Sequence, residues 1–211
     1  MIEDVYKKRT KCSVFTDEIP DFDMVKNLME KTHALVASKQ NLMPYKIHVL
    51  GPDCKKYKEE LYKLTVNAVD KKWTKTRANR QVFAPYVLIF TARLASPNIS
   101  VQKKIEEGHS YQACFPETYL NSGALHTACI EVGMWSKIFT GLCLENNIDV
   151  GYTKCFRSWS KSNNVKWPTL PFVQDPPLFI MSVAYHDIRY RSFNSEEIKP
   201  DFDEVVCFEH E

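Results

Sequence analysis

The chain has 211 residues, 28 Lys and Arg against 26 Asp and Glu for a formal net charge of +2, and 44% hydrophobic residues. That length supports one substantial core rather than two separate domains, and the near-neutral balance leaves no electrostatic footprint for nucleic acid or for an acidic surface. The 7 cysteines are odd in number, lack Cys-x-x-Cys spacing and include Cys129 and Cys143 inside apolar runs, so reduced thiols in a reducing, cytoplasmic compartment are expected in place of a disulfide or zinc framework.

The first residues are charged (Glu3, Asp4, Lys7, Lys8, Arg9) and lack the apolar stretch of a secretory signal. Pro20 stands where a helix can start, and Phe22, Val25, Leu28, Met29 and Thr32 recur at steps of three and four through about His33. Ser38-Lys39-Gln40-Asn41-Leu42-Met43-Pro44-Tyr45 reads as a stiff polar loop. Its Asn and Gln side chains donate as well as accept, while Pro44 fixes its own φ and pushes Met43 toward an extended conformation. Residues 46 to 50 then form a short buried strand. Gly51-Pro52-Asp53 makes a turn and helix cap, after which Tyr57, Leu61, Leu64 and Ala68 mark the buried face of a second helix, with lysines and glutamates on the other side. Tyr86 to Phe90 is apolar throughout, as in a strand covered on both faces, and residues 99 to 107 give a short polar helix.

From Leu120 to Glu145 the pattern is apolar almost all round, as expected for a core helix, and Glu131 and Lys137 interrupt it too often for a membrane span. Asn146-Asn147 stops that helix and Val150-Gly151-Tyr152 begins another extended piece. Residues 157 to 168 hold two tryptophans among Ser, Asn and Lys and give no clear periodicity. Pro176-Pro177 precedes a third strong strand signal, Leu178 to Ala184. The tail from Ser192 to Glu211 is polar but carries Phe193, Ile198, Phe202, Val205, Val206 and Phe208, too apolar for a disordered end.

Several chemistries leave no trace. There is no Gly-x-Gly-x-x-Gly or Gly-rich phosphate loop among only 6 glycines, which argues against a Rossmann or P-loop site. The histidines show neither His-x-x-x-His nor His-x-x-Glu-His spacing, so no metal site is expected, and a Gly-x-Ser-x-Gly elbow is missing.

Four segments, in order, resemble the nitroreductase family, whose members are FMN enzymes working as intertwined homodimers. Lys8-Arg9-Thr10-Lys11-Cys12-Ser13-Val14-Phe15-Thr16 is similar to the basic segment that holds the FMN phosphate. The loop Ser38 to Tyr45 with the strand after it resembles the flavin-edge loop. Ala84-Pro85-Tyr86-Val87-Leu88-Ile89-Phe90 resembles the Ala-Pro lead-in to a central strand, and Ile130-Glu131-Val132-Gly133 the acid-apolar-Gly turn of the core helix. The four fall between residues 8 and 133, and with later positions such as Lys154, Cys155 and Lys199 the resemblance spans roughly residues 8 to 206. The resemblance implies a single α+β domain over 1–211, with a central mixed sheet of four or five strands wrapped by helices around the long helix 120 to 145. It also implies that residues 192–211 form a C-terminal extension reaching the partner subunit. The implied activity is FMN-dependent oxidoreduction by a ping-pong cycle, with NAD(P)H as donor and a nitroaromatic, quinone or free flavin as acceptor, and no nucleic acid, membrane or metal partner.

Carried onto this chain, the resemblance implies that Arg9, Thr10, Lys11 and Ser13 hold the phosphate together with Lys199, where the family often has a second basic residue; Arg189 and Arg191 lie near enough in sequence to assist. Lys11 and Ser13 interchange the family's hydroxyl and basic types. Asn41, with Ser38 and Lys39 beside it, falls at the isoalloxazine edge, where Met43 replaces a frequent Gln and Tyr45 a frequent Trp. Lys154 and Cys155 fall on the segment whose backbone donates toward the flavin N5, in place of Glu-Gly. Each has a plainer reading: the basic segment as a solvated helix end, Asn41 as a turn-former bonding its own backbone, Cys155 as a buried thiol. For the whole chain the alternatives are a non-catalytic member that has lost FMN and serves as an interaction protein, or a flavin-dependent dehalogenase or flavin-breakdown relative.

Overall fold

The structure is a computed structural model describing residues 2–9, 12, 14–63, 65, 79–111, 114, 123–153, 177–187 and 205–206. Four strands form one sheet: β1 (Tyr45–Leu50), β2 (Tyr86–Ala92), β3 (Asp149–Thr153) and β4 (Phe179–Ala184), in the order β1-β2-β4-β3. All three pairings are antiparallel; the fifth strand that a mixed sheet would add is not among the described residues. The helices are α1 (Ile2–Lys7), α2 (Phe22–Leu35), α3 (Lys55–Lys63), α4 (Ile99–Glu106) and α5 (Gly123–Glu145).

β2 is central and buried from Tyr86 through Thr91, because successive side chains point to opposite faces and both faces are covered. Tyr86, Leu88 and Phe90 face a cluster built with Val25 and Leu28 of α2 and Val132, Trp135, Phe139 and Cys143 of α5. Val87 and Ile89 face the other way, onto Leu50, Leu61, Val82 and Ala84. Phe90 meets the Trp135 ring edge-on at 5.3 Å and Trp135 stacks on Phe139 at 4.8 Å, an arrangement that aromatic quadrupoles favour.

Local signals account for the element ends. Asp21 caps α2 by accepting from the Met24 N–H at 2.8 Å, so the helix begins one residue after the cap and not at Pro20. Val25, Leu28 and Thr32 are buried as expected, whereas Phe22 is 59% exposed. The lysines of α3 are not all on its solvent face, since Lys58 is buried. The long helix differs from an all-round apolar core element: Ala128, Val132, Trp135 and Phe139 are buried, while Cys129, Ile130, Gly133, Met134 and Lys137 form an exposed stripe. Of the tail, only Val205 and Val206 are described, and Val205 is exposed.

The register relates the two edges of the sheet. Tyr45 pairs with Ala92, whereas Thr153 pairs with Ile180, Ile180 with Ile89 and Ile89 with His48. The end of β3 is therefore level with the middle of β1 and not with its start, on the opposite edge, three strand spacings or roughly 14 Å across the sheet.

Candidate functional site

The loop preceding β1 is the most strained backbone among the described residues. Gln40, Asn41 and Met43 all have positive φ, at 53°, 54° and 45°. For side-chain-bearing residues other than Asn this conformation costs on the order of 1–3 kcal/mol each and persists only where the surroundings over-determine it. Met43 was expected to be extended ahead of Pro44; it is left-handed because other groups hold it. The Ser38 Oγ accepts from the Met43 N–H at 2.8 Å. Arg93, just beyond β2, donates to the Leu42 carbonyl at 2.9 Å and to the Met43 carbonyl at 3.0 Å. Asn98 donates to the Gln40 carbonyl at 2.7 Å. Glu131 of α5 accepts from the Lys39 N–H at 2.9 Å.

These contacts fix which groups face outward. Leu42 is buried against Ala95 and Val101, and Pro44 and Tyr45 are buried behind it, so the crest Lys39-Gln40-Asn41 is left exposed with Ser38 half-buried at its base. The crest offers an ammonium and two amide side chains. Beneath it the surroundings are apolar: Glu131 is 4% exposed and its second oxygen, Oε2, has no hydrogen-bond partner, nor has the buried Tyr45 hydroxyl. Burial pushes that hydroxyl up to about 12, the Glu131 carboxylate adding to the shift and Arg93 opposing it.

On the other edge, Arg9 places its guanidinium 4.8 Å from the centroid of the Tyr152 ring in β3, a cation–π seat. The Tyr152 hydroxyl shares a 2.5 Å hydrogen bond with Thr140 Oγ1. Arg9 follows α1, which is pinned to α5 by the Tyr6 hydroxyl donating to the Lys137 carbonyl at 2.7 Å and by Lys137 Nζ lying 3.6 Å over the Tyr6 ring. Burial raises the Tyr6 hydroxyl pKa, with Tyr152 contributing next. At the end of β3, Thr153 Oγ1 is buried without a partner.

The structure thus sets the Ser38, Lys39 and Asn41 loop ahead of β1 and Arg9 on the opposite edge of the sheet, over Tyr152, which is level with Val49, without a described contact between them. Thr10, Lys11, Ser13, Lys154, Cys155 and Lys199 lie outside the described residues, as do Arg189 and Arg191. The residues present suit an anionic, planar, hydrogen-bonding group such as FMN: a guanidinium on one side, a preset polar crest with an ammonium on the other, and an orphaned hydroxyl at the end of β3. Sequence reasoning missed Arg93 and Asn98. The signal for Asn98 was available in Ser96-Pro97-Asn98 ahead of an apolar-periodic stretch, a helix-start pattern; nothing local marks Arg93.

No family model matches the chain, and no curated protein does. Solved structures do. A nitroreductase family protein from Streptococcus pneumoniae superposes with a TM-score of 0.63 over 99% of this chain and 100% of its own, at 18% identity. A protein assigned as a nitroreductase, in complex with FMN, from Exiguobacterium sibiricum gives 0.64 over 99% and 97%, at 15% identity. A mutant of an FMN- and NADPH-dependent nitroreductase from Sphigopyxis sp. gives 0.60 over 99% and 98%, at 12% identity. The chain has the nitroreductase fold, in a sequence far diverged from these structures. No helix among the described residues is long and apolar enough to cross a membrane, and no group of His, Cys, Asp and Glu among them is arranged to hold a metal.

Proposed function

We propose that the chain binds FMN and acts as an NAD(P)H-dependent oxidoreductase of the nitroreductase kind, as a cytoplasmic homodimer. The observation that carries this reading is the braced, left-handed crest Lys39-Gln40-Asn41, exposed ahead of β1, with the Arg9 guanidinium seated over Tyr152 on the opposite edge of the sheet as the cation for a phosphate. The fold and the FMN-bound structural neighbour support it. When bound, FMN supplies the hydride and electron transfer.

The chain's own residues bind and orient. Arg9, with Thr10, Lys11, Ser13 and Lys199, neutralises the phosphate. Asn41 and Ser38 offer hydrogen bonds to the ring edge, and the Lys39 ammonium favours the reduced, anionic ring electrostatically. By the family resemblance, backbone N–H groups at Lys154 and Cys155 would donate toward the flavin N5. The cycle this reading implies is ping-pong, with NAD(P)H as donor and a nitroaromatic, quinone or free flavin as acceptor.

The visible spectrum of the purified protein and a thermal shift on adding FMN test the reading. Arg9→Ala is expected to weaken FMN binding by about 1.5–3 kcal/mol with the fold intact, and Lys199→Ala to act in the same direction more mildly. A folded protein with neither flavin absorbance nor a shift leaves the fold without FMN, as in a non-catalytic interaction protein. Equal affinity in wild type and Arg9→Ala moves the phosphate elsewhere.

A further inference from the structure

The crest is held by groups from three other parts of the chain. Arg93 leaves the end of β2, Asn98 caps α4 and Glu131 lies in the first half of α5, yet all three bind the backbone of residues 39 to 43. They take carbonyls at Gln40, Leu42 and Met43 and the amide at Lys39. Glycine would adopt these positive φ values freely, but this loop has none. The crest side chains are exposed, so their burial does not offset the strain; these contacts do, together with the Ser38 bond to the Met43 N–H and the burial of Leu42. We propose that Arg93, Asn98 and Glu131 are positioning residues that set the crest in the geometry receiving the flavin edge, with Asn98 coupling that geometry to α4. The inference takes its ligand from the FMN reading and its brace from these contacts alone.

Asn98 makes the test clean because its amide has two separate tasks. Its Oδ1 accepts from the Val101 N–H at 3.0 Å and caps α4, while its Nδ2 donates to the Gln40 carbonyl at 2.7 Å. Asp is as good an N-cap as Asn, so Asn98→Asp keeps the cap, removes the donor and sets a carboxylate oxygen against a carbonyl. Asn98→Ser keeps a cap with a hydroxyl too short to reach Gln40. Glu131→Gln retains an acceptor for the Lys39 N–H, whereas Glu131→Ala does not.

The experiment is amide hydrogen exchange on the flavin-free full chain together with FMN titration. Asn98→Asp and Asn98→Ser are expected to speed exchange across residues 39 to 43 at least tenfold and to raise the FMN Kd at least tenfold, with exchange in β2 and at Val101 unchanged. Glu131→Ala is expected to do the same and Glu131→Gln to restore wild-type values, a rescue that loss of packing volume alone would not require. Wild-type exchange in both Asn98 variants overturns the brace. Faster exchange with an unchanged Kd overturns its role in positioning the site. A wild-type protein that binds no FMN sinks the flavin reading, and the exchange arm still decides the brace.

Discussion

Lys58 lies in the core with no ion pair to a carboxylate among the described residues: the residue is 3% exposed and its Nζ donates to the carbonyls of Ala84 at 2.7 Å and Pro85 at 2.9 Å. The sequence placed it on the polar side of α3; the carbonyls where the chain enters β2 draw it inside, a long-range pairing that helical spacing does not record. Burial pushes the ammonium down to about 8, with smaller opposing pulls from Cys54 and Asp53. Because the folded pKa lies below the ordinary 10.5, the unfolded chain binds more protons between these values. Lys58 therefore destabilises the fold below about 8, and the loss is recovered as pH rises toward 10.5. The unfolding free energy of wild type minus that of Lys58→Met is expected to climb across that window. A flat or falling difference would show that the ammonium is not desolvated. Tyr45 presents the complementary case, a buried hydroxyl with no partner. Tyr45→Phe removes a desolvated polar group and is expected to leave stability unchanged or raise it by about 1 kcal/mol in denaturant unfolding. A loss larger than that would mean the hydroxyl bonds the Glu131 Oε2 in solution.

At the scale of elements, legibility followed the reach of the forces. The strands β2 and β4 and the helix α2 were readable because a buried strand needs a continuous apolar run and a half-buried helix a stripe, and both are local patterns. The crest was not: Pro44 argued for an extended Met43, and apart from Ser38, five residues back, the groups that overrule it lie 50 or more residues away at Arg93, Asn98 and Glu131. The same holds for the N-terminal segment over β3. Thr16 N–H bonds the Tyr185 carbonyl at 2.8 Å and Asp187 N–H the Val14 carbonyl at 3.1 Å, bringing residues 12 to 16 so close to β3 that a Cβ on Gly151 would sit 2.8 Å from the Cys12 carbonyl oxygen and 3.2 Å from Phe15 Cζ. The sequence showed an extended piece there but not the close approach that requires glycine. Gly151→Ala is expected to cost about 1–3 kcal/mol of stability. It also disturbs the residue before Tyr152, on which Arg9 rests. A melting temperature equal to wild type would mean the segment above β3 shifts at no cost.

At the scale of the molecule, the exposed stripe on α5 is the apolar face that one chain leaves uncovered among its described residues. The sequence announced a helix apolar on all sides but could not say which side the rest of the chain would leave bare. The structure shows Ile130 at 52% and Met134 at 40% exposure, with Cys129 exposed beside them and nothing within 4 Å of where a Gly133 Cβ would point. A glycine flanked by apolar residues one turn apart allows close approach of a second helix, and a partner copy laid on this stripe would bury it. Gly133→Arg separates the two roles of that face. Within one chain the added side chain meets open space and replaces a poor helix former by a good one, so the monomer should gain about 0.5–1 kcal/mol. Between two chains the same side chain holds the helices apart and buries a charge in an apolar contact. Wild type is therefore expected to be a dimer by light scattering at micromolar concentration, and Gly133→Arg a folded monomer of equal or greater helicity that has lost its FMN. A monomeric wild type that still holds flavin would overturn the dimer and show that flavin binding does not depend on a partner copy. A Gly133→Arg dimer would move the contact away from α5.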